Sequence, residues 1–490
     1  MRTSGILLHI SALPSPYGIG TFGKEAYKFV DKLKKANQTY WQILPLGPTS
    51  YGDSPYQTFS AFALNPYFID LDMLISDGLL SKKDIIDSET ENFRVDFEKL
   101  YHERFVVLRK AFQNFDQTHP DYLNFIQNEK YWLEDYALFM SIKSEQNGRS
   151  WIEWPEELRL RNENVINNFK EILNTEIEFQ YFIQYKAYEQ WNKLKNYANH
   201  HGIKIIGDMP IYVALDSSDV WTKPHIFQLD ERRIPTHVAG VPPDNYSVDG
   251  QLWGNPLYRW DVLEENHFDW WIDRVKSNVK LFDMIRIDHF IGFVNYFSIP
   301  YTDTTARNGE WKKGPGRKLF DEIKRQLGDL PIIAEDLGAV TDEVRELLRY
   351  TNFPGMKLLQ FAFDSREESD YIPHLYSKNI FAYTGTHDNP TTKEWFKTLN
   401  KSDYKYCLNY INHQKGSKVD SLIKETLKSI ADTAIIPMQD YLNLGAEGRF
   451  NLPSTLGNHN WTWRMKKDQF NTKILNKIKS FTHLYGRDNK

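Results

Sequence analysis

Phe282-Asp283-Met284-Ile285-Arg286-Ile287-Asp288-His289-Phe290 reads as a short buried strand that ends in charge. Met284, Ile285 and Ile287 form an apolar run of the kind that suits a strand covered on both faces. Arg286 and Asp288 stand two positions apart, so on a strand they project to the same side. A guanidinium beside a carboxylate favours the ionised acid, the form that a nucleophile requires. A structural ion pair at a strand end uses the same residue types, so this stretch alone leaves both readings open.

Similar runs recur along the chain, and each tends to close on polar residues. They cover 6–10, 41–46, 203–211, 284–290, 331–338, 356–363, 380–388 and 434–441. Several intervals between them carry helical patterns. Residues 24–36 place apolar side chains at 26, 29, 30 and 33, and 343–350 repeats the helical period. Eight strands alternating with helices predict an α/β fold, a (β/α)8 or TIM barrel with helical and loop insertions. A doubly wound open sheet also fits the pattern. The whole of 1–490 is expected to form one barrel unit. Two intervals exceed a single crossover helix. Residues 64–200 read as a mainly helical insertion that Gly202 stops. Residues 217–269 are rich in Pro, Gly and Trp and read as a loop-rich insertion over the active site.

The composition narrows the function. With 490 residues, 41% hydrophobic and 26% charged, the chain suits a soluble globular protein. A formal charge of −5 without a Lys/Arg run argues against nucleic acid. The lone Cys407 excludes an intramolecular disulfide and a Cys-rich metal site. The short apolar run at 5–10 is interrupted by His9, and no apolar stretch is long enough to span a bilayer. No membrane association and a cytoplasmic location are therefore expected. Aromatic residues make up 15%, which suits sugar-ring recognition but equally a large core.

A barrel carries its chemistry at the C-terminal ends of its strands. Those ends are acidic here: Asp208, Asp288, Glu335 with Asp336, and Asp388. Acids gathered at one mouth repel one another, and desolvating each is costly without a task or partner. Glycosyl transfer uses such a set. One carboxylate attacks the anomeric carbon, a protonated carboxyl serves the leaving oxygen, and an acceptor then takes over the covalent intermediate. Asp288, paired with Arg286, suits the nucleophile. Glu335 follows Ile332, Ile333 and Ala334, so apolar burial near another anion favours its protonated form. Asp388 suits stabilisation of positive charge at the ring. Spacing does not choose between Glu335 and Asp336.

Other patterns fail on context. Gly18-Ile19-Gly20-Thr21-Phe22-Gly23 matches a dinucleotide fingerprint but does not directly follow a strand. Residues 245–250 resemble a calcium loop, yet Pro256 stands where a bidentate Glu is needed. His200-His201 has no partner at ligand spacing. No metal or organic cofactor is expected, since the sugar chemistry needs only carboxyls.

Long ordered motifs resemble those of the 4-α-glucanotransferases called amylomaltase or disproportionating enzyme, glycoside hydrolase family 77. They include R-T-S-G-I-L-L-H-I-S-A-L-P-S-P-Y-G-I-G at 2–20, W-Q-I-L-P-L-G-P-T at 41–49 and Y-G-D-S-P-Y-Q-T-F-S-A-F at 51–62. They continue with G-D-M-P-I-Y-V at 207–213, G-V-P-P-D at 240–244 and W-G-N-P-L-Y-R-W at 253–260. R-I-D-H-F at 286–290, A-E-D-L-G at 334–338 and T-G-T-H-D at 384–388 complete the set. The resemblance implies a (β/α)8 barrel that transfers α-1,4-glucan segments between maltooligosaccharides by a retaining double displacement. It implies Asp288 as nucleophile, Glu335 as acid/base and Asp388 as transition-state stabiliser. Arg286, His289 and His387 would contact the reacting sugar, and Asp208 would be a sugar-binding acid. Ser54 and Tyr56 would line the donor side. Gln251, Trp253 and Asn255 would sit in a loop over the site, and Asn460, followed by Trp461, would belong to a looser C-terminal substrate motif. Two other readings compete: an α-amylase-like retaining hydrolase with the same acids, and a non-catalytic glucan binder, whose mark would be a lost acid.

Overall fold

Each of the eight apolar runs overlaps a strand, and each strand stops before its run does because the last residues leave the sheet as loops. The strands are β1 (Thr3–Leu7), β2 (Tyr40–Gln42), β3 (Lys204–Met209), β4 (Met284–Ile287), β5 (Ile332–Ala334), β6 (Gly355–Leu358), β7 (Ile380–Tyr383) and β8 (Thr433–Pro437). The computed structural model describes residues 2–85, 93–243, 247–338, 340–457 and 459–488. Asp244 of the G-V-P-P-D motif, Asn245 and Tyr246 of the calcium-like stretch, and Asn458 of the C-terminal motif lie outside the described residues.

All eight strands run parallel in chain order, with β1 paired to both β2 and β8. The ring closes between β5 and β6, where the Ala334 N–H donates to the Pro354 carbonyl at 2.9 Å. This closure makes the sheet a barrel and excludes the open doubly wound alternative. Its strands are nearly wholly buried, as sheets covered on both faces require. Close packing between strand and ring of helices leaves no spare volume: a Cβ on Gly207 would lie 2.1 Å from the Phe282 ring.

The first crossover helix, Lys24–Lys35, buries Ala26, Phe29, Val30 and Leu33, as the periodicity predicts. The long interval before β3 holds the helices Phe97–Gln113, Pro120–Glu145, Glu163–Ile172 and Asn174–His200. Aromatic side chains knit the longest two together, with Phe125 and Trp132 at 5.4 and 5.9 Å from Tyr188. The helix Asn174–His200 runs directly into β3 and so does the work of the crossover. Gly202 stops it at φ +77°, with the Ile203 N–H returning to the Ala198 carbonyl at 2.9 Å.

The stretch 217–269 differs from its reading as loop chemistry. It contributes the strands His237–Val241 and Gln251–Pro256 to a second, antiparallel sheet. Asn295–Pro300 and Glu310–Lys313, which the sequence patterns did not mark, complete that sheet. Glycine and proline obscure the alternation. At Gly240 a Cβ would lie 2.1 Å from the Gln251 carbonyl oxygen, so the small residue is a requirement of the pairing.

The N-terminal end of the barrel is held by two arginines. Arg487, beyond the last helix Thr472–Leu484, is fully buried. It donates to the carbonyls of Thr3, Leu427, Ser429 and Ala431. Arg2 donates to those of Leu427, Ser429 and Tyr485. Substituting Arg487→Met removes a charged donor from several buried carbonyls and should cost about 3 kcal/mol. Denaturant unfolding would show the loss, while activity well below the melting temperature should stay within about twofold, because chemistry belongs to the opposite barrel end.

Candidate active site

Asp208 on β3 and Arg286 on β4 are register partners across the two strands. Arg286 Nη1 donates to both carboxylate oxygens of Asp208, each at 2.7 Å. Its Nη2 lies 2.9 Å from Asp288 Oδ1. The Asp208 and Arg286 side chains are 0% and 4% exposed, whereas Asp288 is 26% exposed. Of the two acids that share the guanidinium, Asp288 is therefore the one a substrate can reach. The Tyr56 hydroxyl donates to Asp208 Oδ2 at 2.8 Å and completes the buried set.

Beyond Ile287 the chain leaves β4 under backbone control. The Asp288 N–H donates to the Met209 carbonyl at 3.0 Å. His289 then adopts φ +53°, uncommon for a non-glycine residue. That turn aims its N–H at Glu335 Oε2, 2.7 Å away. Oε1 of Glu335 accepts from the Leu337 N–H at 2.9 Å. Burial, with Asp288 adding to it, pushes the Glu335 carboxyl up to about 8, against the opposing pull of Arg286 and the two N–H groups. Asp336 faces elsewhere. Its Oδ1 accepts from the Met356 N–H at 2.7 Å, beside the seam where the barrel closes. The two adjacent acids thus part in three dimensions: Glu335 lies beside Arg286 and Asp288, and Asp336 stitches β5 to β6.

Asp388 lies beyond β7 with donors on both oxygens. His387 Nε2 is 3.1 Å from Oδ2, and Asn451 Nδ2 donates to Oδ1 at 2.6 Å. Burial alone would raise this carboxyl, but the adjacent imidazole and amide outweigh it and hold it at about 2. His387 stacks on Tyr56 with centroids 5.2 Å apart and planes at 14°. His289, pushed down to about 4 by burial, meets the Trp253 ring edge-on at 4.9 Å.

The remaining expected residues divide. Gln251 accepts from the Trp253 indole at 3.0 Å and so orients it. Ser54 accepts from the Tyr56 N–H at 3.2 Å, shaping the turn that presents Tyr56. Asn255 is buried, bonded to Gln57 at 3.0 Å and to the Val213 carbonyl at 2.8 Å. Asn460 is also buried, and its amide closes a loop: it accepts from the Leu452 N–H and donates to Thr455. These last two reach their neighbours rather than the open mouth. Trp461 does face the site residues, 5.9 Å from Tyr56 and 6.0 Å from His387. The sequence reading counts only Asn460 among the substrate contacts, although Trp461 follows it directly. His9, buried behind His387 and pushed down to about 3 by burial, was legible only as a break in an apolar run.

The raised Glu335 makes stability depend on pH. The native state keeps a proton that the unfolded chain releases near the ordinary value of about 4.3. Rising pH therefore favours unfolding progressively between that value and about 8. Glu335→Gln removes this drift, so the melting temperature of the variant minus that of wild type should grow by several degrees from about pH 5 to about pH 8. A difference that stays flat across the range would mean that Glu335 titrates like a solvated acid.

Comparison with known proteins places this geometry in a family. The family profile described as 4-alpha-glucanotransferase matches residues 8–470. A 4-alpha-glucanotransferase from Clostridium butyricum is 50% identical over 490 residues, covering 98% of this chain and all of its own. One from Thermus thermophilus is 46% identical over 477 residues, 95% of each chain. The structure of amylomaltase from Streptococcus agalactiae in complex with acarbose superposes with a TM-score of 0.97 at 44% identity over 100% of both chains. Amylomaltase from Corynebacterium glutamicum, at 17% identity, TM-score 0.82, and coverage of 98% of this chain and 75% of that one, shares the fold. The chain belongs to the 4-alpha-glucanotransferase family.

Proposed function

We infer that the protein cuts an α-1,4-glucan and passes the freed segment to the hydroxyl of a second glucan, through a covalent glycosyl-enzyme intermediate. The observation that carries this reading is the separation of protonation states in one mouth: Glu335 held up at about 8, Asp388 held down at about 2. Environments that push two carboxyls apart assign the acid and the anion. Asp288 attacks the anomeric carbon as the glycosidic bond breaks, and Glu335 gives its proton to the departing oxygen. Asp388, anionic beside the ring, stabilises the positive charge that develops there. In the second half, Glu335 takes the proton of the acceptor hydroxyl, which attacks the same carbon and releases Asp288. Arg286, His289 and His387 serve as contacts to the reacting sugar, with Tyr56, Trp253 and Gln251 around it. Maltooligosaccharides act as both donor and acceptor, and the acarbose complex of the Streptococcus agalactiae relative supports a saccharide in this cleft.

Among the described residues no helix is long and apolar enough to cross a membrane.

Incubation with maltotriose alone tests the reading. Longer maltooligosaccharides plus glucose, at constant total reducing ends, are expected. Rising reducing ends without longer products would make the protein a hydrolase, and no change would leave a binder. Asp288→Asn should lower transfer by at least about a hundredfold, the lower range of a lost catalytic group, with the fold intact by circular dichroism. Greater residual activity removes Asp288 from the nucleophile's role. The alkaline limb of kcat/KM should fall near pH 8, where Glu335 loses its proton.

A further inference from the structure

Asp388 is gripped by a chain segment that lies far from it in sequence. The Asn451 amide donates to Oδ1 of Asp388 at 2.6 Å, and the Asn451 N–H donates to the His387 carbonyl at 3.2 Å. Arg449 Nη2 donates to the Asp388 carbonyl at 3.4 Å, and its Nε donates to the Asn451 carbonyl at 2.9 Å. Arg449 Nη1 lies 3.9 Å from Glu394 on the following helix Thr392–Thr398. Three bonds thus run from Arg449 and Asn451 to the His387–Asp388 turn, and a fourth braces the two donors against each other.

The terminal torsion of an aspartate is broad and soft. A carboxylate with one donor swings about that bond, whereas donors on different oxygens fix its plane. His387 holds Oδ2 and Asn451 holds Oδ1. The 452–460 loop does not need the Asn451 side chain for its own closure. Asn460 supplies that by bonding Leu452 and Thr455, and the Trp461 N–H closes the neck onto the Phe450 carbonyl at 2.7 Å.

We propose that Asn451 is a positioning residue for transfer: its amide fixes the plane of the Asp388 carboxylate toward the reacting sugar, while Arg449 locks the backbone beneath. The proposal rests on the reading of Asp388 as the charge-stabilising anion. Besides Asn451, the groups that face Asp388 include His387 on its own turn, Arg286 from β4, Tyr56 from the opposite loop and, at its backbone carbonyl, Arg449.

The test measures kcat and KM for maltotriose across pH in the full chain, for wild type, Asn451→Ala and the isosteric Asn451→Asp, with melting temperatures alongside. Loss of alignment at the reacting centre should lower kcat roughly tenfold to a hundredfold in Asn451→Ala, with KM within about twofold. The acid limb of kcat should move up. In Asn451→Asp two carboxyls share one hydrogen-bonding distance, so the limb should climb by about one pH unit or more. Wild-type kcat in both variants overturns the proposal. So does a fall in kcat with a lowered melting temperature and an unmoved acid limb, which would mark general loosening. A rise in KM alone also overturns it, since that would make Asn451 a substrate contact. Asp388→Asn is measured in parallel: if it keeps wild-type kcat, the charge-stabilising reading itself fails, whatever Asn451 does.

Discussion

One guanidinium buried between two carboxylates sets the mouth of the barrel. Taking charges out of water costs several kcal/mol per ion unless the geometry of pairing is excellent. Arg286 meets that condition with both oxygens of Asp208 at 2.7 Å and Asp288 at 2.9 Å. The arrangement exists only because β3 and β4 pair with Asp208 opposite Arg286. A one-residue slip would turn Arg286 to the other face of its strand. Closing the barrel in register and charging the site are therefore the same constraint. Gly207, beside Asp208, lets the Phe282 ring pack against its backbone, where any Cβ would clash.

From that trio the rest of the electrostatics follows. Two carboxylates and one guanidinium carry a net negative charge at the cleft. Asp388 adds a second anion, stabilised by His387 and Asn451 rather than by a cation of its own. A third net anion beside them would be opposed by burial and by Asp288, and Glu335 is held in its protonated form. On the proposed mechanism, that negative potential would favour an oxocarbenium-like ring, and the Glu335 proton would serve the departing oxygen. One neutral acid among anions is what the surrounding charges select.

The sequence made the barrel legible because buried parallel strands leave continuous apolar runs and end at acids. All eight strands lie within or beside the runs, and the helix Lys24–Lys35 matches its pattern residue for residue. Chemistry that depends on a neighbour in space was harder to see. Glu335 and Asp336 are adjacent, and only the seam between β5 and β6 separates their tasks. Asn460 carries the polarity expected of a sugar contact, yet its amide is consumed by its own loop. Asn295–Pro300 is an interior strand buried through its middle and Glu310–Lys313 is a wholly exposed edge strand, so neither shows the alternation of buried and exposed residues that marks a strand. Asn451 gives no local signal at all, because its partner is 63 positions away.

The walls of the cleft come from segments outside the barrel, and each is anchored to a side chain at the mouth. Trp253 arrives on the second sheet and meets His289 at 4.9 Å. Trp461 arrives from the C-terminal loop and packs against Phe450, Tyr56 and His387. Its φ of +63° is costly for a bulky residue, about 1–3 kcal/mol, and persists only where the surroundings over-determine it. The Phe450 carbonyl and three aromatic neighbours supply that. On the proposed mechanism such an aromatic wall would help keep water from the covalent intermediate until a sugar acceptor arrives. The same stretch of chain carries Asn451 onto Asp388, so the aromatic wall and that carboxylate are tied to one segment.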